Sequence, residues 1–260
     1  MMNYSLKVLY SGSQGNAAVL TAGDTAVLID AGKNAKALTA ALHCAGVDPA
    51  SLCAIFLTHE HRDHTSALDV FLKHYPLPVH AVSASAARLR DVASPLVLSH
   101  LVEHSPYFTV SLGSITLSSF PTPHDSAGSV GYRITVNAPD KTHTVGYVTD
   151  LGSVTPTVEE ALLGCEAVVI EANHDDDMLR EGPYPYPLKK RIASRFGHLS
   201  NTDCALLCAK LAEGGTSRFL LAHLSETNNL PDLALSEVGA ALAGYPIRLS
   251  AADPTLITEL

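Results

Sequence analysis

The sequence has no tryptophan, and basic side chains are scarce among its 260 residues, with 17 Lys and Arg against 26 Asp and Glu. The formal charge of −9 makes the average surface repel nucleic acid and anionic membrane, although a local basic patch or bound divalent cations reverse that sign at a site. No apolar run approaches the roughly 18 residues that a membrane span requires. The opening residues pass directly into a strand pattern with none of the features of a secretory leader, so a cytoplasmic protein with no membrane partner is expected. Cysteine is limited to Cys44, Cys53, Cys165, Cys204 and Cys208, an odd number without CxxC spacing. That excludes a disulfide framework and a zinc ribbon, and suits buried thiols in a reducing compartment. Low-complexity linkers and internal repeats are also missing.

What remains is 47% hydrophobic and 17% charged residues, the make-up of a folded chain, at a length that one domain spanning 1–260 can accommodate. Apolar runs predict strands over Leu6–Tyr10, Ala17–Thr21, Thr25–Ile29, Cys53–Leu57, Pro78–Ala81, Ile115–Phe120, Tyr132–Val136, Thr144–Thr149, Ala167–Ile170 and Arg218–Ala222. Helical spacing is found over Ala35–Cys44, Ser66–His74, Ser83–Asp91, Val158–Leu163, Asp203–Ala212 and Leu233–Leu242. Helices in both halves around two sets of strands predict a layered α/β sandwich whose helices cover two packed sheets. The Pro-rich segment Gly182 to Pro187 reads as a shaped loop.

Histidine is the abundant functional residue, at thirteen. The strand ending at Leu57 is followed by Thr58-His59-Glu60-His61-Arg62-Asp63-His64. In an extended segment residues two apart share a side, so His59 and His61 can grip one ion. As the chain turns into the next helix, Asp63 and His64 can face a second. Imidazole and carboxylate together suit Zn²⁺, Mn²⁺ or Fe and not Ca²⁺; the bland alternative is a solvated polar loop.

This segment resembles the metallo-β-lactamase fold superfamily. The resemblance implies an α/β, metallo-β-lactamase-type αββα four-layer sandwich with metal ligands at strand ends around one cleft. It matches Asp30, in Leu28-Ile29-Asp30-Ala31-Gly32, to an acidic residue that supports the metal loop without binding metal. It further matches His124 in Pro123-His124-Asp125, Asp150 in Thr149-Asp150-Leu151-Gly152, and His223 after Phe219 to Ala222. Two divalent ions per chain, Zn²⁺ or Mn²⁺, are then implied. His59, His61 and His124 would hold the first, Asp63, His64 and His223 the second, with Asp150 bridging and a metal-bound hydroxide as nucleophile.

Four further segments, Ser11 to Asn16, Glu171 to Asp175, Lys189 to Asn201 and His223 to Asn229, together with Asp30 to Gly32 and His124-Asp125, are similar to the YycJ/WalJ family of this superfamily. The similarity covers nearly the whole chain except about its last thirty residues. It implies a phosphodiesterase related to ribonuclease Z, an exonuclease acting on DNA. By the same resemblance His198 is a phosphate ligand and proton donor, so that Asp63, Asp150 and His198 form the catalytic group. Phosphate chemistry fits other residues too. The loop Ser11-Gly12-Ser13-Gln14-Gly15-Asn16 can offer backbone N–H groups and the side chains of Ser13 and Asn16 to an oxyanion, or be a tight hairpin turn. Lys189, Lys190, Arg191 and Arg195 form the one dense basic cluster, either a phosphate-backbone contact or a solvated helix face. His174 either positions a ligand or touches substrate, and Tyr184 and Tyr186 either stack on a base or pack at the surface. Two rival functions use the same ligands: hydrolysis of a small lactone, thioester or cyclic phosphodiester, which needs an apolar acyl pocket, and an iron-binding redox or sensor role.

Overall fold

Strands that are apolar at both phases of a two-residue period bury both faces, and this chain builds two sheets from such strands. The computed structural model describes residues 4–139 and 141–260. Its first half runs β1 (Tyr4–Tyr10), β2 (Ala17–Ala22), β3 (Thr25–Ile29), α1 (Ala35–Cys44), β4 (Leu52–Phe56), α2 (Arg62–Thr65), α3 (Leu68–His74), β5 (Val79–Val82), α4 (Ser83–Val92), α5 (Pro95–His100) and β6 (Leu101–His104). The second runs β7 (Thr109–Leu112), β8 (Ile115–Pro121), β9 (Val130–Asn137), β10 (Thr142–Val148), α6 (Pro156–Leu162), β11 (Ala167–Glu171), α7 (Asp176–Glu181), α8 (Tyr186–Ile192), α9 (Asn201–Glu213), β12 (Arg218–Ala222), α10 (Pro231–Ala241), β13 (Arg248–Ala251) and β14 (Thr258–Glu259).

The sheets have the orders β14-β1-β2-β3-β4-β5-β6 and β13-β12-β11-β10-β9-β8-β7. Val27 and Ile29 of β3, Ala54 and Phe56 of β4, Ala167 and Val169 of β11 and Leu220 of β12 fill the space between them. The opposite phase packs outward. Leu28 and Ile55 lie with Leu38, Leu42, Phe71 and Leu89 of the first half's helices. Val168, Ile170, Phe219 and Leu221 lie with Leu162, Leu207, Leu211 and Val238 of the second. The result is the αββα sandwich expected from the sequence. No helix among the described residues is long and apolar enough to cross a membrane.

The structure adds detail that periodicity missed. The helix expected over Ser66–His74 is found as α3, Leu68–His74, and a separate short helix, α2, precedes it in the ligand turn. The expected loop holds over Gly182 to Pro185, but its last two residues, Tyr186 and Pro187, already belong to α8; Pro185 is the N-cap position and Pro187 sits in the first turn, where a missing N–H costs nothing. The last thirty residues supply one edge strand of each sheet, β13 against β12 and the two-residue β14 against β1.

Strands β3 and β4 are parallel, as are β10, β11 and β12. Their carboxyl ends therefore open on one side of the sandwich, where α/β folds place ligand sites. Asp30, Asp150 and His223 lie just past β3, β10 and β12, and each has a positive φ, of 60°, 55° and 56°. A left-handed non-glycine residue costs on the order of 1–3 kcal/mol, and three in one region mark a site whose side-chain directions outweigh backbone comfort. Hydrogen bonds hold these turns: Asp30 N–H donates to the Phe56 carbonyl at 2.9 Å, and His223 N–H donates to Ser11 Oγ at 2.7 Å.

Candidate metal centre and substrate cleft

The turn after β4 carries His59, His61, Asp63 and His64, and α2 begins within it. Gly32 is required beside it, because a Cβ there would collide with the Asp63 carbonyl and the Asn16 backbone. The loop after β8 brings His124, the turn after β10 brings Asp150, and β12 delivers His223. The structure brings together His59, His61 and His124 as one set and Asp63, His64 and His223 as another, the prospective ligand atoms in each lying within 4.8 Å of one another. Asp150 stands between the sets. Its Oδ2 is 3.3 Å from His64 Nε2, and its Oδ1 is 3.7 Å from both His124 Nε2 and His223 Nε2.

Four of the five rings are oriented from behind. His64 Nδ1 lies 2.8 Å from Asp30 Oδ2, His124 Nδ1 lies 3.0 Å from the Gly197 carbonyl, and His223 Nδ1 lies 2.8 Å from Glu171 Oε1. His59 Nδ1 faces Thr58 Oγ1 at 3.1 Å, and that hydroxyl donates to Asp30. Four histidines thus have Nδ1 against an acceptor, the arrangement that turns the Nε2 lone pair toward a metal. His59 Nε2, His223 Nε2 and Asp150 Oδ2 are buried and find no hydrogen-bond partner within the protein. Buried polar atoms left without partners are costly, and imidazole and carboxylate donors aimed at a common space fit divalent transition-metal ions.

Among the protein groups alone, imidazoles and carboxylates compensate one another, and a metal ion bound there would displace the protons from its imidazole ligands. Burial would raise the Asp150 pKa, but the neighbouring His223, His64 and His124 outweigh it and hold the carboxylate below its ordinary range. Burial would likewise raise Glu171, yet His198 and His223 keep it ionised. Burial lowers His223, but the Asp150 charge and the Glu171 hydrogen bond reverse this and lift it to about 9. His59 goes the other way, well below its usual value, through burial and the surrounding imidazoles.

A second tier of residues completes the centre. Asp30 is fully buried and accepts from Thr58 N–H at 2.8 Å as well as from the Thr58 hydroxyl and His64. Glu171, to which the sequence alone assigns no role, is the matching support on the second sheet. Its Oε1 lies 2.8 Å from Nδ1 of both His198 and His223, and its Oε2 accepts from Leu151 N–H at 2.6 Å and Leu199 N–H at 3.3 Å. Because all these positions are taken, we read Glu171 as a support and not as a ligand. The available signal was a charge closing the apolar run Ala167-Val168-Val169-Ile170, as Asp30 closes its own. His198 stands between the sets, with ring centroids 5.2 Å from His124 and 5.1 Å from His223.

The residues expected at phosphate divide. Ser13, Arg191 and His198 line one cleft of about 180 Å³ together with His223 and Tyr184. Asn16 is not presented to that cleft: it is buried, and its Nδ2 lies 3.2 Å from Asp63 Oδ2, 3.0 Å from His64 Nε2 and 3.0 Å from the Gly12 carbonyl. The loop Ser11 to Asn16 is therefore chiefly a brace. Asn16 holds the turn after β4 and Ser11 holds His223, leaving Ser13 exposed. His174 is buried, bridged to Ser200. Lys189 Nζ donates to the Arg180 carbonyl at 2.7 Å, and Arg195 lies over the Phe196 ring at 4.5 Å. Of the four basic residues, Arg191 alone lines this cleft, where it pairs with Asp125. Tyr186 points away from burial, at 76% exposure.

Comparison with known proteins agrees with this architecture. A beta-lactamase superfamily domain is matched over residues 25–224, so the fold and the matched segment define a protein of that superfamily. Exodeoxyribonuclease YycJ of Bacillus anthracis is 32% identical, with 100% of this chain and 99% of that protein covered. Exodeoxyribonuclease WalJ of Streptococcus pneumoniae is 33% identical over 90% of this chain and 86% of its own length. The crystal structure of Zn²⁺-bound PqqB from Methylobacterium extorquens shares the fold, with a TM-score of 0.71 at 17% identity over 98% of this chain and 100% of that one. The chain belongs to the YycJ/WalJ family of metallo-β-lactamase-fold hydrolases.

Proposed function

We propose that this enzyme is a binuclear metal-dependent phosphodiesterase that degrades DNA from an end. The observation that carries the reading is the convergence on Asp150 of two three-residue sets, with His198 held beside them by Glu171. The names of the two relatives support DNA as the substrate, and the zinc in PqqB supports Zn²⁺ as one suitable ion, with Mn²⁺ the other. A pair of such ions supplies positive charge for a phosphate and lowers the pKa of a coordinated water.

The chain's own groups then have defined tasks. Asp63 and Asp150 orient the attacking water on the side opposite the leaving oxygen. Glu171 fixes the His198 ring through Nδ1, so that a protonated His198 donates from Nε2 to the departing alkoxide. Ser13 and Arg191 hold the flanking phosphate from the cleft rim. The reading assigns the reaction to the cytoplasm, where the five free thiols stay reduced.

The test is digestion of end-labelled single- and double-stranded DNA and RNA after loading with Zn²⁺ or Mn²⁺, with metal content measured in parallel. Two ions per chain and stepwise loss of DNA from one end are expected. One ion per chain at saturation overturns the binuclear centre. Intact DNA alongside rapid hydrolysis of a small lactone, thioester or cyclic phosphodiester moves the assignment to that class.

A further inference from the structure

Two clefts of very different size flank the prospective ligands. One, of about 950 Å³, includes His61, and Asp125 lies on the boundary between the two. The other is the cleft of about 180 Å³ bordered by His198 and His223. A pocket for a drug-sized ligand has roughly 300–1,000 Å³, whereas a cavity of about 150 Å³ takes a single benzene ring. The smaller cleft has room for one ring system and not for two stacked nucleotides.

Its walls are of two kinds. Leu188 and Ile192 are one helical turn apart on α8, and Tyr184 lies in the bend just before that helix; all three line the cleft as an apolar and aromatic wall. Leu224 and Ser225, just after β12, are also part of the lining. The rim carries Arg191, whose Nε is bound to Asp125, and a guanidinium has further donors in the same plane for a phosphate. The wall is rigidly joined to the centre. His198 N–H donates to the Ile192 carbonyl at 2.9 Å, and a Cβ at Gly197 would collide with the carbonyls of Arg191 and Ile192.

We infer that this cleft is a subsite for one terminal nucleotide, the base resting on Tyr184, Leu188 and Ile192 and the phosphate meeting Arg191 beside His198. The inference rests on the phosphodiesterase reading and deepens it: a cleft with room for one ring system seats one nucleotide at a time. A mononucleotide is then the expected first product.

Calorimetric titration of the metal-loaded protein with 2′-deoxyadenosine 5′- and 3′-monophosphates, and with base-free deoxyribose 5-phosphate, tests it without turnover. The tighter nucleotide is expected to bind at least tenfold better than the base-free phosphate. Tyr184→Ala should weaken the nucleotide about five- to a hundredfold, the usual range for loss of a base-aromatic stack, and the base-free phosphate less than twofold. Ile192→Trp, which fills the cleft from a half-exposed position, should remove the preference for the nucleotide. Equal binding of nucleotide and base-free phosphate, or a Tyr184→Ala variant with unchanged nucleotide affinity, overturns the subsite. First products of several nucleotides from end-labelled DNA do the same. A retained nucleotide preference in a protein that cuts no DNA sustains the subsite and defeats the nuclease reading instead, so the two failures are distinguishable.

Discussion

Replacing Glu171 by Gln removes one charge and almost no volume, yet it conflicts with four fixed donors. In the native protein Oε1 accepts from two imidazoles and Oε2 from two backbone N–H groups. A glutamine has one oxygen, and the backbone donors of Leu151 and Leu199 cannot change their nature. If the amide oxygen stays with the rings, the NH₂ group confronts those two N–H groups, leaving buried donors unsatisfied at about 1–3 kcal/mol each. If it turns to the backbone, the NH₂ group faces the rings, which must offer a lone pair at Nδ1 and carry the proton at Nε2. His223 then loses the lone pair that points at the centre. Changes of this kind behind a metal ligand typically cost about 10–100-fold in metal affinity or activity. We therefore expect Glu171→Gln to weaken the ion held by Asp63, His64 and His223 by that factor while the His59, His61 and His124 set is much less affected. Competition titration against a chromophoric chelator reads the two affinities, and thermal unfolding reads the fold. A folded variant with both affinities within twofold of the native values would refute the argument. Glu171→Ala is the poorer probe, since four orphaned donors threaten folding itself.

Arg191→Ala should flatten the dependence of log K for DNA on log salt by about 0.7–0.9, one phosphate contact, whereas Lys189→Ala should change the slope by less than half as much; equal effects in a binding series over salt concentration would restore the whole basic cluster as the contact surface. His198→Ala should slow cleavage of DNA by roughly 10²-fold or more but barely affect a nitrophenyl phosphodiester, whose leaving group departs without a proton, and equal losses in steady-state rates would exclude a proton-donor role. His80 is buried against Phe56 and bonded to His104 at 2.8 Å, and burial followed by the His104 charge pushes it down to about 4. The unfolded chain takes up that proton first, so stability is complete above pH 6.5 and falls by roughly 2–3 kcal/mol toward pH 4, a slope that His80→Phe should reduce in denaturant titrations.

The ligand turn was legible in the sequence because four of its groups lie within six residues and one strand end fixes their directions. Asp30 and His223 were legible only with the family pattern, since each is a single polar residue closing an apolar run. Glu171 closes such a run as well, but its importance depends on His198 and His223, which are 27 and 52 residues away. The role of Asn16, expected at phosphate, is hidden for the same reason. A Gly-rich loop advertises its backbone, while the contact that decides its role, to Asp63, crosses 47 residues. The short edge strands β13 and β14 have too few residues to show a period.

Density of charge along a chain and direction of charge in space are separate properties, and α8 separates them. Successive residues on a helix are turned by about 100°, so Lys189, Lys190 and Arg191 cannot share one face. The same rotation that carries Lys189 to the Arg180 carbonyl sets Arg191 on the cleft with Leu188 and Ile192. A compact positive run in the sequence thus becomes one cation beside an apolar wall, a composition suited to a phosphate attached to a base. A uniform basic strip would instead bind a continuous backbone and favour cuts anywhere along it. On the proposed reading, a preference for an end over the interior of a strand would then follow from how one seven-residue helix distributes its side chains around a small cleft.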